Sequence, residues 1–330
     1  MGERSMVSIV IPVHNAERHF AASLTSIQAS TYRDFELIVV DDNSDDQSAK
    51  IAENSGATVI RLSSQAGPAA ARNHGASAAK GEILLFLDSD VVVKPDTIEK
   101  IVRAMEDPTV TAVFGSYDDN PAEADFLSQY RNLFHHFVHQ NSNSEAITFW
   151  AGCGAVRKEV FLSVGGFDAK KYVEPAVEDI ELGYRLHYRG CRIRLDKSIQ
   201  VKHLKKWTFY SILRTDIFCR ALPWARLMLE QGEITKDLNL KSTDRLSAGL
   251  VGLVTAASPL LVLEVRLAYL EALLLVILLL LNRPLYRFFL LKRGITFAAL
   301  SLPMHYLYYL YSGLSYTFCW MTQPLVRKRA

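Results

Sequence analysis

The sequence predicts an α/β domain with a mostly parallel sheet flanked by helices, followed by α-helical transmembrane segments. From residue 7 to about 117, short apolar runs alternate with helix-like stretches, which is typical of parallel sheets covered on both faces. After about residue 245 charges become sparse, and the apolar runs reach lengths that can cross a bilayer. The 37 Lys and Arg nearly balance the 35 Asp and Glu, which argues against a nucleic-acid partner.

Four strands, each followed by a helix, are predicted in the first part of the chain. The strands are residues 7–13, 35–42, 57–62 and 82–88. The helices are an amphipathic stretch from Glu17 to Ala29, a segment around Gln47–Asn54, an Ala-rich helix opened by Gly67 and Pro68, and a helix opened by Pro95. Ligands bind such sheets at the carboxyl ends of the strands, so the polar loops after the first, second and fourth strands form the candidate site.

Cysteine spacing and the N-terminus indicate a reducing compartment. The four cysteines lie far apart and form no CxxC pair, so neither a zinc site nor a disulfide framework is expected. The first apolar run is at the short limit for a signal-peptide core, and no small-residue cleavage site follows it. We interpret it as a buried strand and expect the domain that it begins to lie in the cytosol.

Charge density divides the chain into three predicted regions. They are a cytosolic α/β domain at 1–205, amphipathic interfacial helices at 206–245 and a transmembrane helical region at 246–330. The last region contains three apolar segments, at 246–263, 267–281 and 294–326. Their lengths favour a bilayer over buried helices of a soluble core and predict a multi-pass protein of the cell (inner) membrane.

Basic residues on both sides of the last apolar segment leave its topology open. Arg283 and Arg287 precede it and Arg327 follows it, and both groups favour the cytoplasmic side. A single crossing cannot place both ends in the cytoplasm. The segment is therefore also interpreted as re-entrant, interfacial or a short hairpin around Pro303.

Acidic residues follow the second predicted strand. Asp41 and Asp42 begin the sequence DDNSDD, and carboxylates at the end of a strand can accept the N–H of a nucleobase or the hydroxyls of a ribose. Asp, Asn and Ser before a helix are also ordinary capping residues, and capping is the favoured interpretation when this motif is taken alone.

Two carboxylates, Asp88 and Asp90, end the fourth predicted strand. Carboxylates in this arrangement can share a hard divalent cation with a substrate diphosphate, and Mg²⁺ or Mn²⁺ suits oxygen ligands. So short a motif is weak by itself. Its position at the same sheet edge as Asp41 and Asp42 strengthens it.

Two helices carry further candidates. Arg72, on the helix opened by Gly67 and Pro68, could bind phosphate or base, or belong to an ordinary charged helix face. Glu178 and Asp179 begin the helical stretch VEDIELGYRL, where a carboxylate held inward can act as a general base. Acidity in the first turn favoured by the helix dipole is the alternative.

A glycine-rich segment and several histidines complete the set. The glycines of residues 150–168 are expected where the backbone approaches a ligand closely. His203 could complete a metal site, although a lone histidine is more often a satisfied side chain. His135, His136 and His139 show no defensible ligand spacing and are assigned to an aromatic helix or an interface.

Seven motifs follow one another over residues 7–210: IVIPVHNAE, FELIVVDDNSDD, GPAAARNHG, FLDSDVVVKPD, the glycine-rich segment, VEDIELGYRL and a later histidine. Their order closely resembles the family 2 glycosyltransferases of the GT-A fold. The combined pattern is far more specific than any single motif. The resemblance implies a Rossmann-like GT-A domain, a nucleotide-diphosphate sugar as donor and a divalent metal, Mg²⁺ or Mn²⁺, as cofactor.

The resemblance also implies a role for each candidate residue. Those implied to contact the donor are Pro12, Val13 and Glu17 around the nucleoside, Asp41 or Asp42 at the base, Arg72 near the nucleotide, and Asp88 at the ribose or sugar. Asp90 would bind the metal that bridges the two phosphates, and His203 would join the metal sphere. Asp179 would be the catalytic base, with Glu178 helping to place the acceptor.

The implied reaction is inverting transfer of a sugar to an acceptor hydroxyl. Three rivals remain: a polysaccharide synthase, a polyprenyl-phosphate sugar synthase and an inactive membrane-anchored subunit that binds nucleotide sugars. Polysaccharide synthases of this family carry QxxRW, and neither QVKHLKKW nor RALPW in this chain matches it. The presence together of Asp90, Asp179 and His203 argues against the inactive subunit.

Residues 207–232 predict a helix in the lipid headgroup region. Apolar side chains recur at helical spacing, arginines are interleaved, and the aromatic residues expected at the interface are Trp207, Tyr210 and Trp224. A helix packed under the α/β domain is the alternative. A helix in the interface would hold the cleft against the bilayer, so the acceptor is expected to be a lipid or a lipid-linked sugar.

Overall fold

A computed structural model describes residues 6–232 and 237–327. The chain divides into two compact units, Met1–Trp207 and Thr208–Ala330. The first unit is built on a sheet flanked by helices, and the second is helical. The boundary lies two residues beyond residue 205, where the sequence predicts the end of the α/β domain.

The first part of the α/β unit is the predicted alternation of strands and helices. Its elements are β1 (Val7–Val13), α1 (Glu17–Gln28), β2 (Phe35–Asp41), α2 (Ser48–Asn54), β3 (Thr58–Arg61), α3 (Pro68–Ala78) and β4 (Ile83–Leu87). β1 lies between β2 and β4, β3 pairs with the outer edge of β2, and all these pairs are parallel. Val13 pairs with Asp41, so the ends of β1 and β2 lie side by side.

The second part of the unit turns the sheet into a mixed one. Its elements are β5 (Val91–Val92), α4 (Thr97–Met105), β6 (Val110–Tyr117), α5 (Phe126–Gln140), β7 (Glu145–Ala146), β8 (Cys153–Arg157), α6 (Lys158–Ser163), α7 (Glu178–Tyr188) and β9 (Arg192–His203). β8 is antiparallel to both β4 and β6, and β9 runs parallel to β6. The short strands β5 and β7 pair antiparallel with β9.

The core of this unit lies on both faces of the sheet. Side chains alternate along β1, so Ile9 and Ile11 pack with α1 and α4, whereas Val10 packs with α3 and α7 on the other face. Because both faces are covered, the central strands β1 and β4 are almost entirely apolar. The candidate site lies in the polar loops at the ends of these strands.

The second unit consists of helices. They are α8 (Phe209–Arg214), a π-helical segment (Thr215–Ala221), α9 (Leu222–Gln231), α10 (Ser242–Ala257), a 3₁₀ segment (Ser258–Val262), α11 (Leu267–Leu281) and α12 (Arg283–Arg327). The hairpin considered around Pro303 is not formed, because α12 continues through that residue. Its backbone breaks instead at Gly294, where φ is +81°, a conformation that glycine adopts without strain.

The described residues contain one helical stretch, Ser242–Val262, that is long and apolar enough to cross a membrane. Only 22% of its most apolar window is buried, unlike the core helix of a soluble protein. Leu267–Leu281 and Arg283–Gln323 meet the same criterion only together, and a bend of 66° separates them. Three apolar segments in the sequence thus correspond to one or two candidate spans in this part of the chain.

Two of the three aromatic residues expected at the membrane interface are buried. Trp207 is 4% exposed within the α/β unit, where the Arg131 guanidinium and the Lys205 ammonium lie 5.6 and 4.4 Å from its ring. Trp224 is also buried, and Tyr210 is 75% exposed. The interfacial expectation is wrong for Trp207 and Trp224, because both rings are buried in the protein.

Candidate active site

The two carboxylates at the end of β2, Asp41 and Asp42, are both buried and both accept backbone N–H groups. The two oxygens of Asp42 accept the N–H groups of Ala66 (2.7 Å) and Gly67 (2.8 Å). Asp41 accepts the Ser44 N–H through Oδ1 at 3.2 Å. Asp42 therefore fixes the loop that leads into α3, and the binding of the base by Asp41 or Asp42 stays a prediction.

The other residues predicted around the nucleoside lie at the end of β1. Pro12 is partly buried and Val13 is buried. Glu17, at the start of α1, accepts the N–H of Gln47 at 3.1 Å, and its own N–H donates to Asp46 at 3.0 Å. These hydrogen bonds tie the loop after β1 to the loop after β2, so both form one rim at the carboxyl edge of the sheet.

Arg72 joins two parts of the site that are far apart in the sequence. Its buried guanidinium donates to Asp88 Oδ1 at 2.8 Å and to Glu178 Oε1 at 2.9 Å. Burial alone would lower the pKa of Arg72, but the two carboxylates outweigh it and raise that pKa. Glu178 also accepts the N–H of Ala176 at 2.9 Å. Arg72 therefore binds protein carboxylates here, and the roles of Arg72 at the nucleotide and of Glu178 at the acceptor stay predictions.

Asp90 and His203 are brought together by the pairing of β5 with β9, in which Val91 lies opposite His203. Asp90 Oδ2 lies 3.3 Å from His203 Nε2. The buried imidazole contacts Asn132 Oδ1 through Nδ1 at 2.8 Å, and it stacks on Tyr117 with 4.4 Å between the ring centroids. The structure thus places the two predicted metal ligands next to each other.

The facing atoms of Asp90 and His203 suit a cation. A carboxylate oxygen is an acceptor, and so is Nε2 of a neutral histidine that carries its proton on Nδ1. Two acceptors 3.3 Å apart repel each other unless a proton or a metal cation lies between them. Burial acts to raise the pKa of Asp90, but His203 outweighs it and holds that pKa below its usual range.

Further ligands for a metal would have to come from outside this pair. In residues 6–232 and 237–327, no three His, Cys, Asp or Glu side chains are arranged to hold a metal ion. Mg²⁺ and Mn²⁺ commonly use one or two protein ligands together with phosphate oxygens and water. The donor set of one carboxylate and one imidazole therefore fits a divalent cation that is completed by a diphosphate.

Asp179 begins α7 and faces the segment before β8. Its Oδ2 accepts the N–H of Ala151 at 3.1 Å, and its Oδ1 accepts the N–H of Ile180 at 2.8 Å. Burial raises the pKa of Asp179 to about 7, and the neighbouring Glu178 carboxylate acts in the same direction. A carboxyl group that ionises near neutral pH is suited to take a proton from a hydroxyl.

Residues Ala151 and Gly152 connect Asp179 to the end of β4. Ala151 donates its N–H to Asp179, and the Gly152 carbonyl accepts the N–H of Asp88 at 3.3 Å. This short segment therefore fixes the N-terminus of α7 relative to the end of β4, which Asp88 follows.

The glycines beside this segment make room for aromatic rings of the protein itself. A Cβ atom on Gly152 would lie 2.5 Å from a ring carbon of Trp150, and one on Gly154 would lie 2.6 Å from Phe149. At Gly154 the nearest atom is the backbone oxygen of Trp150, at 2.3 Å. Packing within the protein therefore already requires glycine at both positions, and the close approach of a ligand stays a prediction.

Sequence reasoning missed Asn132, Tyr117 and Trp150. Asn132 and Tyr117 contact His203, and the Trp150 ring lies 4.9 Å from the Tyr117 ring. His135 also joins this aromatic group, 4.3 Å from Tyr117. The only signal in the sequence is a run of aromatic and histidine residues around α5, which does not show which of them reaches His203.

Comparison with known proteins identifies the domain. The family model described as "Glycosyl transferase family 2" matches residues 8–165. Residues 8–165 are a family 2 glycosyltransferase domain. The matched stretch contains the loops after β1, β2 and β4, together with Arg72, Asp88 and Asp90. Asp179 and His203 lie beyond it.

Two curated relatives share this glycosyltransferase domain. An uncharacterized glycosyltransferase of Haemophilus influenzae is 32% identical over 171 residues, which are 49% of this chain and 56% of the relative. The Escherichia coli protein WfgD, named as a UDP-Glc:alpha-D-GlcNAc-diphosphoundecaprenol beta-1,3-glucosyltransferase, is 34% identical over 34% of this chain and 46% of its own length. The chain thus spans about half the length of the curated relatives that it matches.

A solved structure with the same fold is the mannosyltransferase PcManGT from Pyrobaculum calidifontis, in complex with GDP-Man and Mn²⁺. It aligns with a TM-score of 0.54 at 18% identity, over 97% of this chain and 87% of the other. At this identity the likeness concerns the fold. It confirms the GT-A architecture that the motif order implies.

Proposed function

We propose that this chain is a membrane-bound inverting glycosyltransferase that transfers a sugar from a nucleotide-diphosphate sugar to a hydroxyl of a lipid or lipid-linked acceptor. The observation that carries the proposal is the pairing of two unlike carboxylate sites at one sheet edge. Asp90 lies 3.3 Å from Nε2 of His203 and suits a cation, whereas Asp179, whose pKa is raised to about 7, suits a base. The diphosphate of the donor needs a cation to balance its charge, and the acceptor hydroxyl needs a base to remove its proton.

The proposed step uses Asp179 as the only base. Its carboxylate takes the proton of the acceptor hydroxyl as that oxygen attacks the anomeric carbon of the donor. A bond forms between the acceptor oxygen and the anomeric carbon, and the bond from that carbon to the diphosphate oxygen breaks. The nucleoside diphosphate leaves with the electron pair, and a single displacement inverts the anomeric configuration.

The side chains around the donor have separate tasks. Asp90 and His203 would hold the divalent metal, which when bound supplies Lewis-acid stabilisation of the leaving diphosphate. Arg72 offsets part of the negative charge that Asp88 and Glu178 would otherwise place beside the diphosphate. Asp41, at the end of β2, would accept hydrogen bonds from the base.

The surface of the helical unit supports a membrane location. Val262, Leu263 and Tyr269 are each more than four-fifths exposed, and they belong to a large set of exposed apolar side chains on α10, α11 and α12. Water disfavours such a surface, whereas lipid tails accommodate it. Together with one or two candidate spans, this surface supports a location in the cell membrane. The proposal places the glycosyltransferase domain on the cytoplasmic side, because the spacing of its cysteines indicates a reducing compartment.

An exposed face on the first helices of that unit supports a lipid-linked acceptor. Tyr210, Arg214 and Phe218 follow one another at intervals of four residues, and all three are exposed. Aromatic rings flanking an arginine suit the boundary between headgroups and acyl chains. The relative WfgD, whose printed name includes a diphosphoundecaprenol substrate, is consistent with this acceptor class.

Product analysis tests the proposal. Membranes containing the full chain would be incubated with a panel of labelled sugar nucleotides, beside membranes containing Asp179→Asn. We expect label in the lipid extract only with the unsubstituted chain. Label confined to a water-soluble product would overturn the lipid acceptor. Donor binding by the purified chain without turnover of any sugar nucleotide would favour the inactive subunit instead.

A paired substitution tests the lipid-facing role of α8 and the π-helical segment. In Tyr210→Ser/Phe218→Ser, we expect the KM for a membrane acceptor to rise about tenfold, since two interfacial aromatic rings are lost. Donor hydrolysis should not change. Tyr188→Ser, at an exposed tyrosine of the α/β unit, is the control. An unchanged acceptor KM in the double variant would contradict the role.

A further inference from the structure

We propose that Asn132 is a positioning residue that holds His203 in the tautomer a metal ligand requires. The inference rests on the proposed function, because it takes the cation between Asp90 and His203 to be a divalent metal. Asn132 lies in the middle of α5, outside the motifs that carry the family resemblance, and it is 2% exposed.

The orientation of the Asn132 amide follows from its two hydrogen bonds. One end lies 3.0 Å from the backbone carbonyl of Ser128, one turn earlier in α5. A carbonyl oxygen only accepts, so this end must be the NH₂ group. The other end is therefore the carbonyl oxygen Oδ1, and it lies 2.8 Å from Nδ1 of His203.

This orientation decides which imidazole nitrogen carries the proton. Because Oδ1 of Asn132 can only accept, Nδ1 of His203 donates to it. In the neutral ring Nε2 then has a free lone pair, which is directed at Asp90 across 3.3 Å. Metal-bound histidines generally donate their second N–H to such an outer partner, which fixes the tautomer and orients the ring.

The alternative tautomer would close the site. With its proton on Nε2, His203 would donate to Asp90, and the pair would satisfy itself without any cation. Stacking on Tyr117, with an angle of 10° between the ring planes, opposes a rotation of the imidazole that would exchange the two nitrogens. Asn132 and Tyr117 thus keep Asp90 and His203 open to a metal.

Two substitutions of Asn132 separate its acceptor role from its structural one. Asn132→Ala removes the acceptor opposite Nδ1, whereas Asn132→Asp keeps an acceptor there and loses the donation to Ser128. Ser128→Ala is the matched control. It removes a buried hydroxyl that accepts the backbone N–H of Trp207 at 2.8 Å, and it leaves the backbone carbonyl of Ser128 in place.

The first measurement is binding of Mn²⁺ alone to the purified full chain, followed by the electron paramagnetic resonance of free Mn²⁺. We expect Asn132→Ala to weaken binding by about 10- to 100-fold, the range measured for outer partners of metal ligands. Asn132→Asp and Ser128→Ala should bind Mn²⁺ more tightly than Asn132→Ala, because both keep an acceptor opposite Nδ1 of His203.

The second measurement is the tautomer of His203 in metal-free protein, from nitrogen chemical shifts of histidine-labelled chain. The spectrum of His203→Gln assigns the resonance among the nine histidines. We expect Nδ1–H in the unsubstituted chain and a large share of Nε2–H in Asn132→Ala.

The outcomes distinguish this inference from the proposed function. Equal Mn²⁺ binding by the unsubstituted chain and Asn132→Ala, or Nε2–H in the unsubstituted chain, would overturn the role of Asn132 and leave the glycosyltransferase proposal standing. Failure of the unsubstituted chain to bind Mn²⁺ would remove the metal from the proposed function and overturn this inference with it.

Discussion

Carboxylates follow both β2 and β4 at the same edge of the sheet, but they are used differently. After β2, both oxygens of Asp42 accept backbone N–H groups, so that carboxylate stabilises a loop. After β4, the Asp90 side chain is 25% exposed and its Oδ2 lies 3.3 Å from Nε2 of His203, so its charge can be balanced by a proton on that nitrogen or by a bound cation. A buried charge that is fully hydrogen-bonded contributes stability, whereas a carboxylate whose partner can exchange a proton for a metal is available for binding.

Asp179 is intermediate between these two. It accepts two backbone N–H groups, as Asp42 does, yet its pKa is raised to about 7 because burial and Glu178 oppose its charge. The comparison indicates that local hydrogen bonds alone do not decide the role of a carboxylate. The charges around it decide whether its ionised form is favoured.

The largest effect on activity is expected for Asp179→Asn. Loss of the general base should lower transfer by about 10²- to 10⁴-fold, because asparagine cannot take a proton. Donor binding should be retained, since Asp179 contacts Ala151 and Ile180. Single-turnover transfer and calorimetric donor binding measure the two effects. Asp107→Asn, at an exposed carboxylate, is the control, and transfer at an unchanged rate would show that another group is the base.

Asp90→Asn should lower transfer by about 10³-fold, since several kcal/mol of charge stabilisation on the leaving group depends on the cation that Asp90 would hold. The urea midpoint of unfolding should fall slightly at neutral pH, because the lowered pKa of Asp90 means that its ionised carboxylate stabilises the folded state. Transfer by the unsubstituted chain in excess chelator provides the companion measurement. Full activity under that condition would contradict the metal at this site.

The rate of transfer should depend on pH through Asp179. Below pH about 7 the carboxyl is protonated, so the rate should fall about tenfold per pH unit, and above that pH it should reach a plateau. A raised pKa in the folded state also means that ionisation opposes folding. The stability contributed by Asp179 is therefore lost as pH rises from about 4 through about 7.

Removing the Asp179 carboxyl tests whether its raised pKa makes the stability of the protein depend on pH. At pH 8, Asp179→Asn should unfold at a higher temperature than the unsubstituted chain, and at pH 4 the difference should vanish. Calorimetry at the two pH values measures it. Equal melting temperatures at pH 8 would show that the carboxylate is not destabilised by its surroundings.

The smallest effect on activity is expected for Asp42→Asn, which should instead lower stability. One charged acceptor for the Ala66 and Gly67 N–H groups is lost, and a hydrogen bond to a charged group contributes about 1.5–3 kcal/mol. Urea unfolding measures the loss, with Asp41→Asn, which removes a single backbone contact, as the comparison. A greater loss of activity in Asp42→Asn than in Asp90→Asn would reverse the assignment of the two carboxylates.

Much of the glycosyltransferase domain could be predicted because its signals are local. Apolar runs and their spacing gave β1 to β4 and the helices between them, since burial on both faces of a parallel sheet requires continuous apolar strands. The order of motifs predicted the family. It also predicted that Asp88, Asp90 and His203 lie at one edge of the sheet. The Asp90–His203 contact is consistent with that prediction.

The misplaced residues share one cause. The sequence around Trp207 and Trp224 has the composition that is typical of a helix at the membrane interface. Only the tertiary structure shows that the two rings are buried. Gly152 and Gly154 are spaced like glycines that border a ligand, and only the positions of Trp150 and Phe149 show that packing within the protein also requires them. Burial depends on neighbours that are distant in sequence, so composition does not determine it.

The sequence by itself determined the α/β class, the family of the domain and which carboxylates gather at the edge of the sheet, because apolar periodicity and motif order are properties of adjacent residues. The tertiary structure alone decided that Asp42 is occupied by backbone donors, that Arg72 bridges Asp88 and Glu178, and that Asn132 reaches His203 from α5. Hydrogen bonds and charge pairs form between atoms within a few ångströms of each other. Those distances are set by how strands and helices far apart in the chain pack together.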